Sequence, residues 1–477
     1  MTKDKKIILN ILQIFIIILL YYLVGKNSIF LYILSLSLYQ IFISSFSHLS
    51  FKNSFDKYQD IKEKNTFLNI SIFSISCLSL AFIILSILIS DISSTILKIE
   101  DMFLVFLFMG LSIISTPLKN LYLDYLNSTK RIKKANIIDN LYSYSEIILF
   151  IILSILLFKV LDIPLHIKNA LLYLPKILSI LLSSIAFFLI TKKDYSKATI
   201  KIFKNTNKYY RELKKVLTKD NYKSIINIVK NSYYYISIII LYLVLSTRYK
   251  YAINVIEEDI TFIYYYLLMI IISLSKIIVP LINNSESSKT LTNKLYLRLK
   301  IILPISIILS IISPLICKII FNAPDKSIYL VIINFMILFL SLYNTTINEL
   351  KNKKLLYVCI SIGIITKLLT TIPLINAFYR MGYNLIYGDI VSTMISLLIP
   401  TIIGYMSSSN KSSKGEKYLD KILNIFYENI ILTIILIVLE FIIPITTNSY
   451  LKSILLVMLY LSISYAFFKI KNKYYNE

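Results

Sequence analysis

The chain has 477 residues, of which 57% are hydrophobic and 16% charged, with a mean hydropathy of +0.72. A helix needs roughly 20 apolar residues to cross the hydrocarbon core of a bilayer, and this composition supplies many such stretches while excluding an ordinary soluble fold. Lys and Arg exceed Asp and Glu by 51 to 26, but a nucleic-acid reader carries its basic face on a soluble domain and none is visible here, so nucleic acid is not an expected partner.

In chain order, apolar windows separated by polar breaks predict spans at 7 to 24, 28 to 47, 67 to 90, 102 to 126, 137 to 160 and 170 to 190. After a long polar break come 224 to 246, 260 to 282, 299 to 320, 327 to 348, 355 to 378, 388 to 406, 421 to 443 and 450 to 468. The predicted fold class is therefore all-α: a polytopic membrane protein of about fourteen transmembrane helices. The first window follows Lys3, Lys5 and Lys6 in the manner of a signal peptide, yet no small-residue cleavage site follows it, and it reads as a first spanning helix.

Short cytoplasmic loops carry the Lys/Arg excess of a membrane protein. Placing the N-terminus in the cytoplasm puts most of the basic residues on that side, and both termini are then cytoplasmic. The break from Thr191 to Tyr222 holds ten lysines and arginines, and Lys223 lies at its edge. Its Ile200, Phe203, Leu213 and Val216 among lysines suit a helix lying on anionic membrane lipids, and equally a solvated linker that sets topology. Six spans before this break and eight after it give predicted divisions of 1–190 (N-lobe), 191–223 (basic linker), 224–406 (C-lobe) and 407–477 (two further helices and a tail). An even first set lets both six-helix lobes enter the membrane in the same direction, a parallel pseudo-repeat. The turn from Asn127 to Lys134 and the turn from Asn348 to Lys354 are similarly basic, in keeping with such a repeat.

Cys77, Cys317 and Cys359 lie in or near apolar segments without metal or redox spacing and read as packing residues. His48 and His166 fall in predicted loops. No cofactor or metal is expected. With no GxxxxGK[ST] phosphate loop and no large external loop carrying acids or arginines, the chain does not read as an ATPase or a glycosyl-transferring enzyme.

An ionisable group at the centre of a spanning helix costs about 3 kcal/mol on insertion scales, so such residues face a cavity, pair internally or snorkel to an interface. Lys119, Lys230 and Lys276 lie within about seven residues of a predicted span end, a depth that a lysine stem largely bridges. Lys367 is twelve residues into the uncharged stretch Leu355 to Phe378 and cannot easily snorkel. It is expected either to face a cavity or to form an internal ion pair. Glu146, about ten residues into its span, is the corresponding acid, a structural partner for a lysine or a coupling residue. Tyr234 and Tyr265, within the runs Tyr233 to Tyr235 and Tyr264 to Tyr266, suit sugar stacking or interfacial anchoring.

The stretch Leu31 to Phe51, LYILSLSLYQIFISSFSHLSF, with the charged NSFDKYQDIKEKN that follows it, and Pro117 to Ile137, PLKNLYLDYLNSTKRIKKANI, resemble the MATE-like (MOP) superfamily, in its polysaccharide-biosynthesis and lipid-flippase branch. The resemblance implies two six-helix lobes with a cavity lined by spans one, two, seven and eight. Lys230 and Lys276 would then meet the diphosphate of a lipid-linked sugar, joined by Lys119 and Lys367. It implies a flippase of an undecaprenyl-diphosphate-linked oligosaccharide or related envelope precursor, working by alternating access in the bacterial cytoplasmic membrane. Glycan polymerases or glycosyltransferases of the same pathway would be its partners. Arginines found in and near the first two helices of lipid II flippases have no counterpart here, since Arg131 is the first arginine. The alternatives are a cation-coupled multidrug exporter of the same fold, which would want an acid in the first or seventh span, and a non-transporting membrane scaffold of envelope assembly.

Overall fold

The computed structural model describes residues 51–97, 102–195, 206–215, 291–321, 327–350, 352–383 and 385–409 continuously, with 36–39, 455–464 and single positions within 8–23 and 427–435. Every element among them is helical. In order these are α1 (Lys52–Asp56), α2 (Ile61–Leu97), α3 (Met102–Ile113), α4 (Ser115–Ser128), α5 (Ile132–Ile155, continued by one π-helical turn to Val160), α6 (Leu165–Leu171), α7 (Leu174–Tyr195) and α8 (Thr206–Lys215). After these come α9 (Leu291–Phe321), α10 (Ser327–Glu349), α11 (Lys353–Arg380) and α12 (Leu385–Ser409). A shorter apolar helix occupies Leu455–Ser464. Among the described residues, seven segments are long and apolar enough to cross a membrane: Ile61–Leu85, Phe103–Ser128, Ile132–Val160, Leu165–Lys193, Leu299–Ile316, Lys354–Arg380 and Leu385–Ser407. The protein is an all-helical, multi-pass membrane protein. The predicted spans at 224 to 246 and 260 to 282 lie outside the described residues and those at 28 to 47 and 421 to 443 lie mostly outside them, while about half of 7 to 24 and of 450 to 468 is described, all of it helical.

Two predicted spans are interrupted, and the same residue type explains both. Proline has no N–H to donate, and its ring clashes with the carbonyl four residues earlier. Pro117 stands four residues after Ile113, where α3 ends, and Pro175 stands four after Leu171, where α6 ends. Each span thus becomes two helical segments in series. His166, predicted in a loop, lies in α6.

The chain folds as two compact units, Met1–Val255 and Ile256–Glu477. The core of the first gathers the ends of α2, α4, α5 and α7 around aromatic rings. Phe55 meets Phe67 and Tyr125 edge-on, with centroids 5.1 and 5.7 Å apart, and Tyr122 stacks on Phe187 at 4.3 Å. The two stretches that carry the family resemblance meet here, since the Phe51 backbone N–H donates to the Asp124 carboxylate at 2.7 Å. The α4–α5 turn closes with Lys130 at φ 59°, the Lys130 N–H donating to the Asn127 carbonyl and the Arg131 N–H to that of Leu126. The similarly basic turn before α11 is built differently: the Asn352 side chain caps the helix by accepting the Lys354 N–H at 3.0 Å.

In the second unit, α11 and α12 form a hairpin joined by residues 381–384. Gly382 takes φ +76°, the Gly382 N–H bonds the Tyr379 carbonyl and the Tyr383 N–H that of Phe378, so a left-handed residue closes the helix. Gly388 then lets the two backbones touch. A Cβ there would lie 2.5 Å from the Ile375 nitrogen and 2.6 Å from its Cα.

Gly388→Ala is expected to lower the stability of the detergent-solubilised protein by about 1–3 kcal/mol, the range for overpacking a tight interface. Gly382→Ala, with open space but an unfavourable φ, should cost about 1 kcal/mol. Thermal unfolding followed by size-exclusion chromatography ranks the two, and an unshifted Gly388→Ala melt would contradict the close backbone approach.

Candidate functional site

Charged side chains inside the spans are the chemistry this chain has to manage, and six of the described ones are brought together in three lysine–carboxylate pairs. In the second unit, Lys367 stands fourteen residues into α11, about 21 Å along its axis, and is 1% exposed. Its Nζ donates to the Asp389 carboxylate on α12, to the Asp389 backbone carbonyl at 3.2 Å and to Thr393 Oγ1 at 2.6 Å. An ammonium group has three N–H donors, and all three are taken. Asp389 is equally buried. Around the pair, hydroxyls bond back to carbonyls of their own helix, and Ser392 bonds across from α12 to α11. Thr371 donates to the Lys367 carbonyl at 2.6 Å, Thr393 donates to that of Asp389 at 2.8 Å, and Ser392 lies 2.8 and 3.0 Å from the Thr370 and Thr371 hydroxyls.

Of the two readings open for Lys367, this is the internal ion pair. A diphosphate would have to displace Asp389 from a site with no exposed surface. Replacing Lys367 by alanine would strand the buried Asp389 carboxylate.

In the first unit, α5 presents Asp139, Tyr142 and Glu146 at i, i+3 and i+7, which is one face of a helix. Lys119 of α4 approaches Asp139 at 3.0 Å and lies 4.7 Å over the Tyr142 ring. Lys176 of α7 approaches Glu146 at 3.4 Å and lies 4.4 Å over the Tyr39 ring. The Tyr142 hydroxyl donates to Ser115 Oγ at 3.1 Å. Two ion pairs and an intervening phenol thus run along one helix face. They differ from the Lys367 pair in exposure: the Lys119 and Asp139 side chains are 17% and 13% accessible, and those of Lys176 and Glu146 22% and 26%. Lys119 therefore belongs to a partly accessible ion pair, and so does Glu146, whose partner is Lys176.

Lys230, Lys276, Tyr234 and Tyr265 lie outside the described residues. Sequence reasoning passed over Lys176, Asp139, Asp389 and Thr393. Lys176 was legible, because it falls inside the predicted span 170 to 190 directly after Pro175. Asp389 sits one residue inside the predicted start of its span, where an acid looks like part of a loop.

At the basic end of the same unit, α8 is the part of the linker that the structure describes. Leu213 is 3% exposed within the aromatic cluster of Phe51, Phe55, Tyr58 and Phe67, and Tyr209 meets Tyr58 with centroids 5.4 Å apart. Glu212 bridges Lys57 and Lys215, and Lys208 reaches Glu63 at 3.3 Å. The Lys215 and Lys57 ammonium groups hold the Glu212 carboxyl below the usual carboxylate range, and burial with the nearby Glu212 charge pushes the Tyr58 hydroxyl up to about 12. Of the apolar linker residues proposed to lie on lipid, Leu213 is instead buried in protein. Ile200, Phe203 and Val216 lie outside the described residues.

The full chain superimposes on the lipid II flippase MurJ in an inward closed conformation, with TM-score 0.57 over 96% of this chain and 97% of that one, at 17% identity. The two chains share one fold over nearly their whole length. Other chains matched are a MOP superfamily transporter from Pyrococcus furiosus (13% identity, 87% of this chain and 97% of that one, TM-score 0.48) and the eukaryotic MATE transporter AtDTX14 (12% identity, 89% and 97%, TM-score 0.48). No protein-family model matches the sequence, and no curated protein does.

Removing one partner of a buried ion pair costs about 3–5 kcal/mol, whereas replacing both by apolar residues of similar volume is often neutral. Lys367→Ala and Asp389→Ala should each lower the melting temperature steeply, and Lys367→Met with Asp389→Leu should recover most of the loss. A double variant no better than the singles would show that the two residues do not act as a pair.

Proposed function

We propose that this MOP-fold protein is a flippase for an undecaprenyl-diphosphate-linked oligosaccharide or a related lipid-linked envelope precursor, moving it across the bacterial cytoplasmic membrane by alternating access. The observation that carries the reading is the superposition on a lipid II flippase over nearly the whole of both chains. The charge pattern supports it. A lipid diphosphate is an anion, and lysine is a compact point charge for phosphate. Lys230 and Lys276 are the residues we assign to its first docking at the cytoplasmic side, with Tyr234 and Tyr265 stacking on or hydrogen-bonding to its sugars. Lys119 and Lys176 serve differently: each is already neutralised but partly accessible, so an incoming phosphate can share the ammonium with Asp139 or Glu146 without creating a bare charge. Such a shared contact is weak, and weak attraction lets cargo leave. Glu146, whose charge Lys176 balances, is the residue we assign to ion or potential coupling. Lys367 takes no part in binding and holds α11 to α12.

A cation-coupled multidrug exporter of the same fold would use an uncompensated acid to draw in a cationic drug. Asp139, Glu146 and Asp389 are instead each matched by a lysine, which argues against it. Neither reading involves bond-making chemistry, so the protein is no enzyme in either.

Deleting the protein should make a lipid-linked sugar accumulate on the cytoplasmic leaflet, and purified protein in liposomes should move a fluorescent lipid-diphosphate sugar. Altered drug sensitivity without any such accumulation would favour the exporter. In the liposome assay, Lys230→Gln with Lys276→Gln should slow transport at least about tenfold, equivalent to about 1.4 kcal/mol, with the melting temperature unchanged. Full transport by the double variant would remove both lysines from the path.

A further inference from the structure

The linker between the predicted lobes is not uniform, because ten of its residues return to the first unit as α8. The attachment is slight in a particular way. One leucine, Leu213, enters the aromatic cluster of Phe51, Phe55, Tyr58 and Phe67, and one ring, Tyr209, rests on Tyr58. The rest is ionic and lies at the surface: Lys57 is 54% exposed, Lys208 62% and Lys215 59%. Exposed ion pairs contribute little and are screened by salt. A ten-residue helix is also too short to persist in water without a packing partner, so α8 folds with its docking. Docking therefore outweighs release by a margin that a change of salt can shift.

Position in the chain gives this balance a mechanical meaning. With α8 docked, the stretch from Lys215 to the predicted span at 224 is nine residues and reaches roughly 30 Å at most. With α8 released, the stretch from Tyr195, the end of α7, is 29 residues and reaches roughly 100 Å.

We propose that α8 is a releasable clasp on the basic end of the first unit, held by Leu213, Tyr209 and the Lys57–Glu212–Lys215 bridge, and that its release sets how far the linker can extend while the lobes exchange access. The second half of this proposal rests on the transporter reading above. The clasp itself does not.

The charged and titratable groups that face Glu212 are Lys57 and Tyr58 from the α1–α2 connection, Glu63 from α2, and Lys208, Tyr209 and Lys215 from α8 itself. Because the folded protein depresses the carboxyl of Glu212, docking is strongest with that group ionised and weakens as pH falls through its lowered value.

Two measurements on the full chain in nanodiscs of phosphatidylethanolamine and phosphatidylglycerol test the clasp. Backbone amides of 206–215 should exchange slowly. Exchange should quicken at least about tenfold when salt is raised from about 50 mM to about 1 M, which shortens the Debye length to about 3 Å. Leu213→Ala should quicken it similarly at low salt. Amides that exchange as fast as a free peptide, or protection that ignores salt, would overturn the proposal.

For the linker's mechanical role, Lys57→Cys with Glu212→Cys, in a background where Cys77, Cys317 and Cys359 are serine, is bridged by a short reducible crosslinker. The bridged protein should move a fluorescent lipid-diphosphate sugar at least about tenfold more slowly and recover on reduction. Full-rate transport while bridged would make α8 a static ornament and overturn the role. If the unbridged protein moves no probe, the flippase reading fails, and the exchange measurement still decides the clasp.

Discussion

An ionised side chain in a spanning helix cannot be left without a counter-charge, because nothing in the hydrocarbon core replaces the water it has lost. Most of what is specific about this protein's interior follows from that constraint. Lys367 and Asp389 meet it by full enclosure, with every N–H of the ammonium assigned to an oxygen and a ring of threonine and serine hydroxyls bonded to nearby carbonyls. Lys119 with Asp139, and Lys176 with Glu146, meet it by pairing along one face of α5 while keeping part of each side chain accessible. The enclosed pair is suited to holding two helices together. The accessible pairs are suited to exchanging partners with an anion, which is why the functional reading places cargo against them.

The same economy of polar groups runs through the spans. Ser112, Ser143, Thr191 and Ser396 each return their hydroxyl to a carbonyl three or four residues earlier, so that these four side chains are buried without an unmet donor. Small residues also let the backbones approach: Gly388 against Ile375 and Gly404 against the Thr346 methyl place α12 between α11 and α10.

How much of this was legible in the sequence depended on whether the signal was local. Spans at 327 to 348 and 355 to 378 match α10 and α11 to within about two residues, because each is a continuous apolar run between basic turns. The breaks within 102 to 126 and 170 to 190 were carried by Pro117 and Pro175, but a hydropathy window averages across a single proline. Lys367 stood out by its depth, whereas its partner, 22 residues on, did not, since nothing local to Asp389 says which helix it will face. Glu146 was placed as a partner for some lysine, and only the packing of α5 on α7 says that the lysine is Lys176. The docking of α8 was hidden for a similar reason. Tyr209 and Leu213 share a helix face, but lysines on either side make the segment read as linker until the aromatic surface that receives it is known.

The pairing of Lys367 with Asp389 also bears on how the chain is made. Neither α11 nor α12 would leave an insertion channel for lipid readily by itself, since each would carry a naked charge. The two are consecutive, joined by a tight glycine turn, and the acid emerges from the ribosome only 22 residues after the base. A hairpin that enters the bilayer with both arms together brings this base and this acid in as a matched pair, with less uncompensated charge than either helix alone.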